Sequence, residues 1–114
     1  MNGPAVQGGF DLLSHDPEAV EQAVTFLKAL SHVGRLQILC QLLDRDCNVG
    51  ELTAVLGEPQ AAVSQQLMRL RAEGFVKPRR SGKQVVYQLA RPEIAPVVGA
   101  LREAFCGSEK QANR

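Results

Sequence analysis

The chain has 114 residues, of which 45% are hydrophobic, so it can bury one modest core and is most simply a single domain. It contains no apolar run of about 18 residues, which argues against a membrane partner, and no basic residue precedes Lys28, which argues against a secretory signal. A cytoplasmic location is therefore expected.

Basic residues are concentrated in one part of the chain. Residues 58–91 contain seven Lys or Arg and only two acids, whereas residues 1–57 contain three bases and seven acids. Residues 92–114 are balanced, with three of each. The positive segment favours an anionic partner such as double-stranded DNA. The plainer alternative is an ordinary solvated surface, since runs of charge commonly form one.

The N-terminal part predicts a flexible segment followed by a first helix. Residues 1–15 are expected to be a flexible segment, because their start is rich in Gly, Pro and Asn. Asp16 and Pro17 are typical of a helix start and predict a first helix to about Ser31. Its apolar stripe is suited to pack on another chain as well as on its own core, and comprises Val20, Ala23, Val24, Leu27 and Leu30.

A second helix is predicted from about Val33 to residues 44–46. Its apolar face comprises Leu36, Leu39, Cys40 and Leu43, widened by Ile38 and Leu42. Residues 51–56 then predict a brief helix closed by Gly57, and residues 59–73 a longer one. Two helices only a few residues apart predict a helix-turn-helix pair.

The helix at residues 59–73 is bounded by Pro59 and Gly74. Its narrow apolar stripe has the spacing i, i+4, i+7 and comprises Val63, Leu67 and Leu70. The outward positions are small or polar and nearly free of acid: Ala61, Ser64, Gln65, Met68 and Arg69. This outer face therefore presents hydrogen-bonding groups to a partner.

A β-hairpin is predicted next, from residues 75–80 and 83–89 joined through Ser81 and Gly82. Pro78 cannot donate to a ladder, which indicates an edge or bulged strand. The alternating apolar positions predicted to share a face are Val85, Tyr87 and Leu89. A mainly α chain with this small hairpin is the arrangement of a winged helix-turn-helix.

The last helix is predicted from Pro92 to about Gly107, with a flexible tail at residues 108–114. Its stripe comprises Ile94, Val97, Val98, Leu101 and Phe105. The winged domain is thus assigned to residues 16–107. Because the first and last helices are left over once the central unit is packed, we expect a homodimer through them. A dimer would place two recognition helices about 34 Å apart, one turn of DNA.

Side-chain chemistry suggests which residues contact DNA. Ser and Gln can hydrogen-bond to base edges, which favours groove contacts by Gln60, Ser64, Gln65 and Arg69. The basic residues around the hairpin tip are expected to meet phosphates or a minor groove: Lys77, Arg79, Arg80 and Lys83.

Several segments together resemble the ArsR/SmtB family of repressors: FLKALSHVGRLQIL at residues 26–39, Glu51-Leu52, AVSQQL at residues 62–67 and LRAEGFV at residues 70–76. The similarity covers most of the chain, about Ala19 to Phe105. It implies a dimeric winged-helix repressor that releases its operator when an inducer is sensed. It does not identify the inducer.

The metal-ligand patterns of that family are absent. Where the arsenic-type sensors carry Cys-Val-Cys-Asp-Leu, this chain has residues 48–52 without a thiol, and residues 92–107 contain neither His nor Asp for a zinc-type site. The placement of two cysteines, in the second and the last helix, resembles the persulfide-responsive branch of the family, the SqrR and BigR repressors and the related regulator HlyU. That resemblance implies that Cys40 and Cys106 are regulatory thiols, joined as a disulfide or polysulfide by reactive sulfur or oxidants. No cofactor is expected.

Other interpretations of these residues stay open. Taken alone, Cys40 on an apolar stripe is a small buried hydrophobe, and Cys47 is interpreted as an incidental, semi-exposed thiol. A metalloregulator with an atypical site pairing His15 or His32 with Cys40 or Cys106 is the main alternative. An interaction module or thiol enzyme is the third, but the chain has no Cys-x-x-Cys and no other catalytic motif, so an enzyme is not expected.

Overall fold

The computed structural model of the chain describes residues 15–112, with side chains through Cys106. It contains five helices and one hairpin in these residues: α1 Pro17–Leu30, α2 Val33–Asp44, α3 Val49–Leu56, α4 Gln60–Ala72, β1 Val76–Ser81, β2 Gln84–Leu89 and α5 Ile94–Ala112. Within this described part, the residues up to Ser31 form one compact unit and those from His32 form another. The flexible segment predicted for residues 1–15 lies, except for His15, outside the described part.

Helix α1 begins as its sequence predicts. The Asp16 carboxylate accepts hydrogen bonds from the backbone N–H groups of Glu18 and Ala19 at 3.1 and 3.2 Å, and Pro17 occupies the first turn. The apolar residues divide between two faces. The buried set is Phe26, Ala29 and Leu30, whereas Val20, Val24 and Leu27 are exposed. The exposed set has the spacing i, i+4, i+7 and forms a continuous apolar stripe.

Helices α2 and α5 pack together and supply much of the core of the second unit. The buried face of α2 comprises Arg35, Ile38, Leu39 and Leu42, while Leu36, Cys40 and Leu43 are half-buried. Helix α5 buries Ile94 and Val98 at its start, but Phe105, predicted in the same stripe, is 79% exposed. Helix α5 also continues to Ala112, five residues beyond the predicted end. The flexibility expected of residues 108–114 stays a prediction.

The helix-turn-helix pair is α3 and α4. Helix α3 begins at Val49, two residues earlier than predicted, because Asn48 and Glu51 form a capping box. The Asn48 side chain accepts from the Glu51 N–H at 2.7 Å, and the Glu51 carboxylate accepts from the Asn48 N–H at 2.8 Å. Helix α4 buries the three predicted residues, Val63, Leu67 and Leu70. Gly74, just beyond its end, has φ of 81°, a conformation that favours glycine.

The hairpin, or wing, is antiparallel, with Val76 opposite Leu89 and Ser81 opposite Gln84. This register corrects the predicted turn, which is formed by Gly82 and Lys83 instead of Ser81 and Gly82. The most buried apolar residue of β2 lies on the face opposite to the predicted apolar positions. Val85 is 43% exposed near the tip, whereas Val86 on the opposite face is buried. Alternation along the strand identified two faces but not the one that the body of the domain covers.

Cys47 was wrongly predicted to be semi-exposed. Its side chain is fully buried, at 0% exposure. The connector between α2 and α3 forms a β-bridge with strand β2, in which the Cys47 N–H donates to the Tyr87 carbonyl at 3.2 Å and the Tyr87 N–H to the Cys47 carbonyl at 2.7 Å. This long-range pairing covers the thiol. No helix among residues 15–112 is long and apolar enough to cross a membrane.

Candidate nucleic-acid interface and thiol pair

The outer face of α4 presents polar groups in a fixed orientation. Because Val63, Leu67 and Leu70 are buried, the rotation of the helix about its axis is set, and Gln65 and Arg69 are exposed one turn apart. Of the other two residues predicted to enter a groove, Gln60 is exposed and Ser64 is half-buried. All four lie on α4, so one helix could present them together to a DNA groove.

The four wing cations are exposed but not equivalent. Arg79 donates two hydrogen bonds to the Asp46 carboxylate, at 2.8 and 3.3 Å. This exposed pair partly neutralises Arg79 before any DNA is bound. The other three form no ion pair with the described residues: Lys77, Arg80 and Lys83. Their charges are available to an anionic partner.

The wing also contacts the start of α3 and the residues just before it. The Asn48 amide donates to the Gln84 side-chain oxygen at 2.8 Å, and the Cys47–Tyr87 bridge lies next to it. Asn48 thus caps α3 and contacts β2 at once. This residue was not identified from the sequence as important for the site, although Asn followed three residues later by Glu is a recognisable capping signal.

Cys40 and Cys106 are free thiols on helices that pack together, α2 and α5. Cys40 is half-buried and Cys106 is exposed. Burial raises the pKa of Cys40, Arg102 opposes this by lowering it, and negative charge on Cys106 and Asp44 raises it further. Cys106 is therefore close enough to Cys40 for a charge on one thiol to affect the other.

An ion pair spans the same two helices. The Arg102 guanidinium donates to both carboxylate oxygens of Asp44, at 3.1 and 3.2 Å. Asp44 is four residues after Cys40 and Arg102 four residues before Cys106, about one helical turn in each case. The pair therefore joins the helix turns next to those that carry the thiols. Sequence reasoning did not connect Asp44 with Arg102.

Cys47 has the environment of an inert thiol. It is fully buried, and its Sγ lies 3.5 Å from the Arg45 carbonyl oxygen. Burial is the main cause that raises its pKa, with Arg45 opposing and nearby carboxylates adding to the rise. Among residues 15–106, no group of three or more His, Cys, Asp or Glu side chains is arranged to hold a metal ion.

A polar pocket between the start of α2 and the middle of α4 was missed by sequence reasoning. We call it the Arg35 pocket, and it is lined by His32, Arg35, Gln65, Gln66 and Arg69. Arg35 is buried, its NH1 group lies 4.0 Å from the Glu73 carboxylate, and its Nε has no hydrogen-bond partner. The available signal was its position, since residues 35, 38, 39 and 42 have the spacing of one helical face.

Comparison with known proteins gives the family. Residues 32–77 match the family described as "Bacterial regulatory protein, arsR family". The chain is 43% identical over 91 residues to the biofilm growth-associated repressor of Xylella fastidiosa, covering 80% of each chain. It is 41% identical over 93 residues to the transcriptional activator HlyU of Vibrio cholerae, covering 82% of each.

The solved structures agree with this match. The crystal structure of the transcriptional repressor BigR from Xylella fastidiosa superimposes with a TM-score of 0.73 at 39% identity, covering 81% of this chain and 91% of that one. The winged helix predicted from the sequence is thereby confirmed, as is the resemblance to BigR and HlyU. These similar proteins are transcription regulators and not enzymes. The chain belongs to the arsR family of bacterial regulatory proteins.

Proposed function

We propose that the chain is a cytoplasmic, dimeric transcriptional repressor whose affinity for operator DNA falls when Cys40 and Cys106 become covalently linked. The observation that carries this proposal is the placement of an exposed thiol and a half-buried thiol on two helices that pack together and are joined by the Asp44–Arg102 pair. The names of the similar repressors support the DNA-binding part.

DNA binding is assigned to α4 and the wing. Helix α4 would enter the major groove, with Gln60, Ser64, Gln65 and Arg69 available to base edges. Lys77, Arg80 and Lys83 would contact phosphates, with Arg79 joining them when it leaves Asp46. The positive charge of residues 58–91 supports this assignment.

Dimerisation would use α1 and α5. Val20, Val24 and Leu27 form an exposed stripe on α1, and Phe105 is 79% exposed on α5. Large apolar side chains in such stripes are typical of protein–protein contacts, and a two-fold dimer would bury each stripe against a second copy. Two α4 helices would then meet two half-sites of an operator.

The linking reaction is a two-step thiol exchange. The exposed Cys106 thiolate attacks one sulfur of an organic disulfide or polysulfide, and a thiolate leaves. The Cys40 thiolate then attacks the Sγ of Cys106, and the second thiolate of the reagent leaves. Where Cys106 carries an extra sulfur from a polysulfide, Cys40 attacks that extra sulfur instead, again with loss of the second thiolate. The two cysteines lose two electrons in total, and the reagent gains those two electrons. Attack on an inner sulfur of a polysulfide leaves extra sulfur in the bridge.

A covalent link between α2 and α5 would change how these helices pack. Because α5 is also proposed to form the dimer contact, a small shift there would change the spacing of the two α4 helices. A coupling free energy of about 1 to 3 kcal/mol corresponds to a roughly 5- to 150-fold loss of affinity. A repressor that binds two half-sites is sensitive to this spacing.

The test compares the wild type with Cys40→Ser/Cys106→Ser. Duplexes bound by the reduced protein are first selected from genomic fragments, and their affinity is then measured by fluorescence anisotropy before and after treatment with an organic polysulfide. We expect the wild type to lose affinity and the double variant to keep it. Cys47→Ala is the matched control and should respond like the wild type.

Mass spectrometry of the treated protein identifies the bridge. Loss of two hydrogens marks a disulfide between Cys40 and Cys106, and added sulfur marks a polysulfide. If the double serine variant still releases its DNA on treatment, the thiol mechanism is wrong. If no genomic fragment binds the reduced wild type, the repressor assignment is wrong as well.

A further inference from the structure

We infer that the Arg35 pocket is a phosphate-binding site and that its ligand is a backbone phosphodiester of the DNA bound by α4. This inference rests on the proposed function, because it assigns a further contact to the same interface. It adds two residues, His32 and Arg35, that neither the sequence pattern nor the family match assigns to DNA. The argument depends on an unsatisfied buried cation, an excess of positive charge and the position of the pocket.

Arg35 is buried without the acceptors that a guanidinium requires. Its exposure is 6%, it makes no hydrogen bond with the described residues, and its Nε has no partner. Its one ion-pair partner among those residues is the Glu73 carboxylate at 4.0 Å, too far for a hydrogen bond. The buried Nε–H is unpaired, which is costly, and the other four N–H donors of the guanidinium have no hydrogen-bond acceptor among the described residues. An acceptor from outside the chain would satisfy them.

The surroundings of Arg35 favour an anion as that acceptor. Glu73 is shared, because it also accepts from Arg69 at 3.3 Å, so one carboxylate serves two guanidinium groups. The start of α2 adds to the positive potential: His32 at its N-cap makes no side-chain capping bond, and its first turn has no acid. Uncapped N–H groups at a helix start attract anions. The pocket therefore has a net positive charge.

The position of the pocket indicates which anion it binds. Gln65 and Arg69 line the pocket and also lie on the exposed face of α4 proposed to contact DNA. When α4 lies in a groove, the phosphates that border the groove are the nearest oxyanions. A guanidinium can bind two oxygens of one phosphate at once, which suits Arg35. Inorganic phosphate has the same chemistry and serves as the competing ligand in the test.

The first experiment uses a duplex selected by the wild-type protein. Each phosphate in turn is replaced by an uncharged methylphosphonate, and affinity is measured for the wild type, Arg35→Lys and Arg35→Met. We expect one position per half-site where the replacement weakens wild-type binding on the order of tenfold. In Arg35→Met this penalty should disappear, and Arg35→Lys should retain part of it. If the penalties are the same in all three proteins, Arg35 does not contact a phosphate and the inference is overturned.

Nuclear magnetic resonance of the arginine Nε–H groups gives an independent measurement that needs no substitution of the buried residue. The Arg35 signal should shift when the duplex is added and should not respond to inorganic phosphate at matched ionic strength. A signal that responds to neither ligand overturns the site. A signal that inorganic phosphate saturates, with release of the duplex, overturns the phosphodiester assignment.

Glu73→Gln separates this role from a purely structural one. Removing the shared carboxylate leaves Arg35 and Arg69 without a counter-charge, so the pocket hypothesis predicts tighter DNA binding and a steeper salt dependence. If Arg35 and Glu73 only hold α2 against α4, both Arg35→Met and Glu73→Gln should weaken binding. If the wild type binds a selected duplex but no methylphosphonate penalty depends on Arg35, this inference alone is disproved. If the wild type binds no duplex, the proposed function is disproved.

Discussion

Arg102 on α5 donates two hydrogen bonds to the Asp44 carboxylate at the end of α2, at 3.1 and 3.2 Å. Asp44 lies where the partial negative charge of the α2 carbonyl groups is unfavourable for an acid, and the last turn of α2 has no basic residue of its own. The Arg102 guanidinium offsets both the Asp44 carboxylate and the partial negative charge at the end of α2. It also lies close enough to Cys40 to lower the pKa of that thiol.

Arg102→Gln and Asp44→Asn should change the reactivity of Cys40 in opposite directions. Arg102 lowers and Asp44 raises the pKa of Cys40, so the first substitution shifts its pH–rate profile to higher pH and the second to lower pH. Burial already raises this pKa, and the reaction rate of the wild type should therefore increase as the pH rises above neutral. The measurement is the alkylation rate of Cys40 by peptide mass spectrometry at several pH values.

Both variants should stay folded, because an exposed ion pair contributes only about 0.2 to 1 kcal/mol. Thermal unfolding of each variant is the control for this. Shifts of the two profiles in the same direction would contradict the electrostatic explanation.

Cys47 should react much more slowly than Cys106 with a thiol reagent. Cys47 is fully buried and burial raises its pKa, whereas Cys106 is exposed. Alkylation of the native protein followed by peptide mapping measures both rates in one sample. The denatured protein is the control, in which the two rates should become similar. Fast native labelling of Cys47 would mean that its bridge to Tyr87 opens readily.

The wing arginines should contribute unequally to DNA affinity. Changing both Arg79 and Arg80 to Gln should weaken binding to all duplexes and flatten the salt dependence by about 0.9 log units per lost phosphate contact. Arg80→Gln should account for most of this effect, because Arg79 is already paired with Asp46. Asp46→Asn should free Arg79 and strengthen binding. Anisotropy titrations at several salt concentrations give these slopes, and an unchanged slope in the double variant would exclude the wing from the interface.

Asn48→Ala should destabilise the domain by about 1 to 2 kcal/mol, since it removes the cap of α3. It also removes the bond to Gln84 in the wing. Asn48→Asp is the matched control, because aspartate retains the capping acceptor but cannot donate to Gln84. Thermal denaturation should therefore show a clear loss for the alanine variant and a small one for aspartate. Equal losses would mean that the wing contact matters more than the cap.

The sequence predicted the helix-turn-helix and the buried side of α4. The spacing of Val63, Leu67 and Leu70 and the glycine after the helix are local signals, which depend on the geometry of one helix and on the conformational freedom of one residue. The basic segment and the small polar residues on α4 are local signals too, and they indicated a nucleic-acid interface. All of these features are encoded within a few turns of chain.

Tertiary structure decided the features that depend on distant residues. The burial of Cys47 requires strand β2 40 residues away, and the sequence around it suggested the opposite. Two ion pairs also join separate elements: Arg79 with Asp46, and Arg102 with Asp44. The burial of the Arg35 guanidinium without a hydrogen-bond partner likewise depends on the elements packed around it. Periodicity identifies the face of an element on which a residue lies, whereas its burial, its ionic partner and its pKa depend on what the folded chain places against that face.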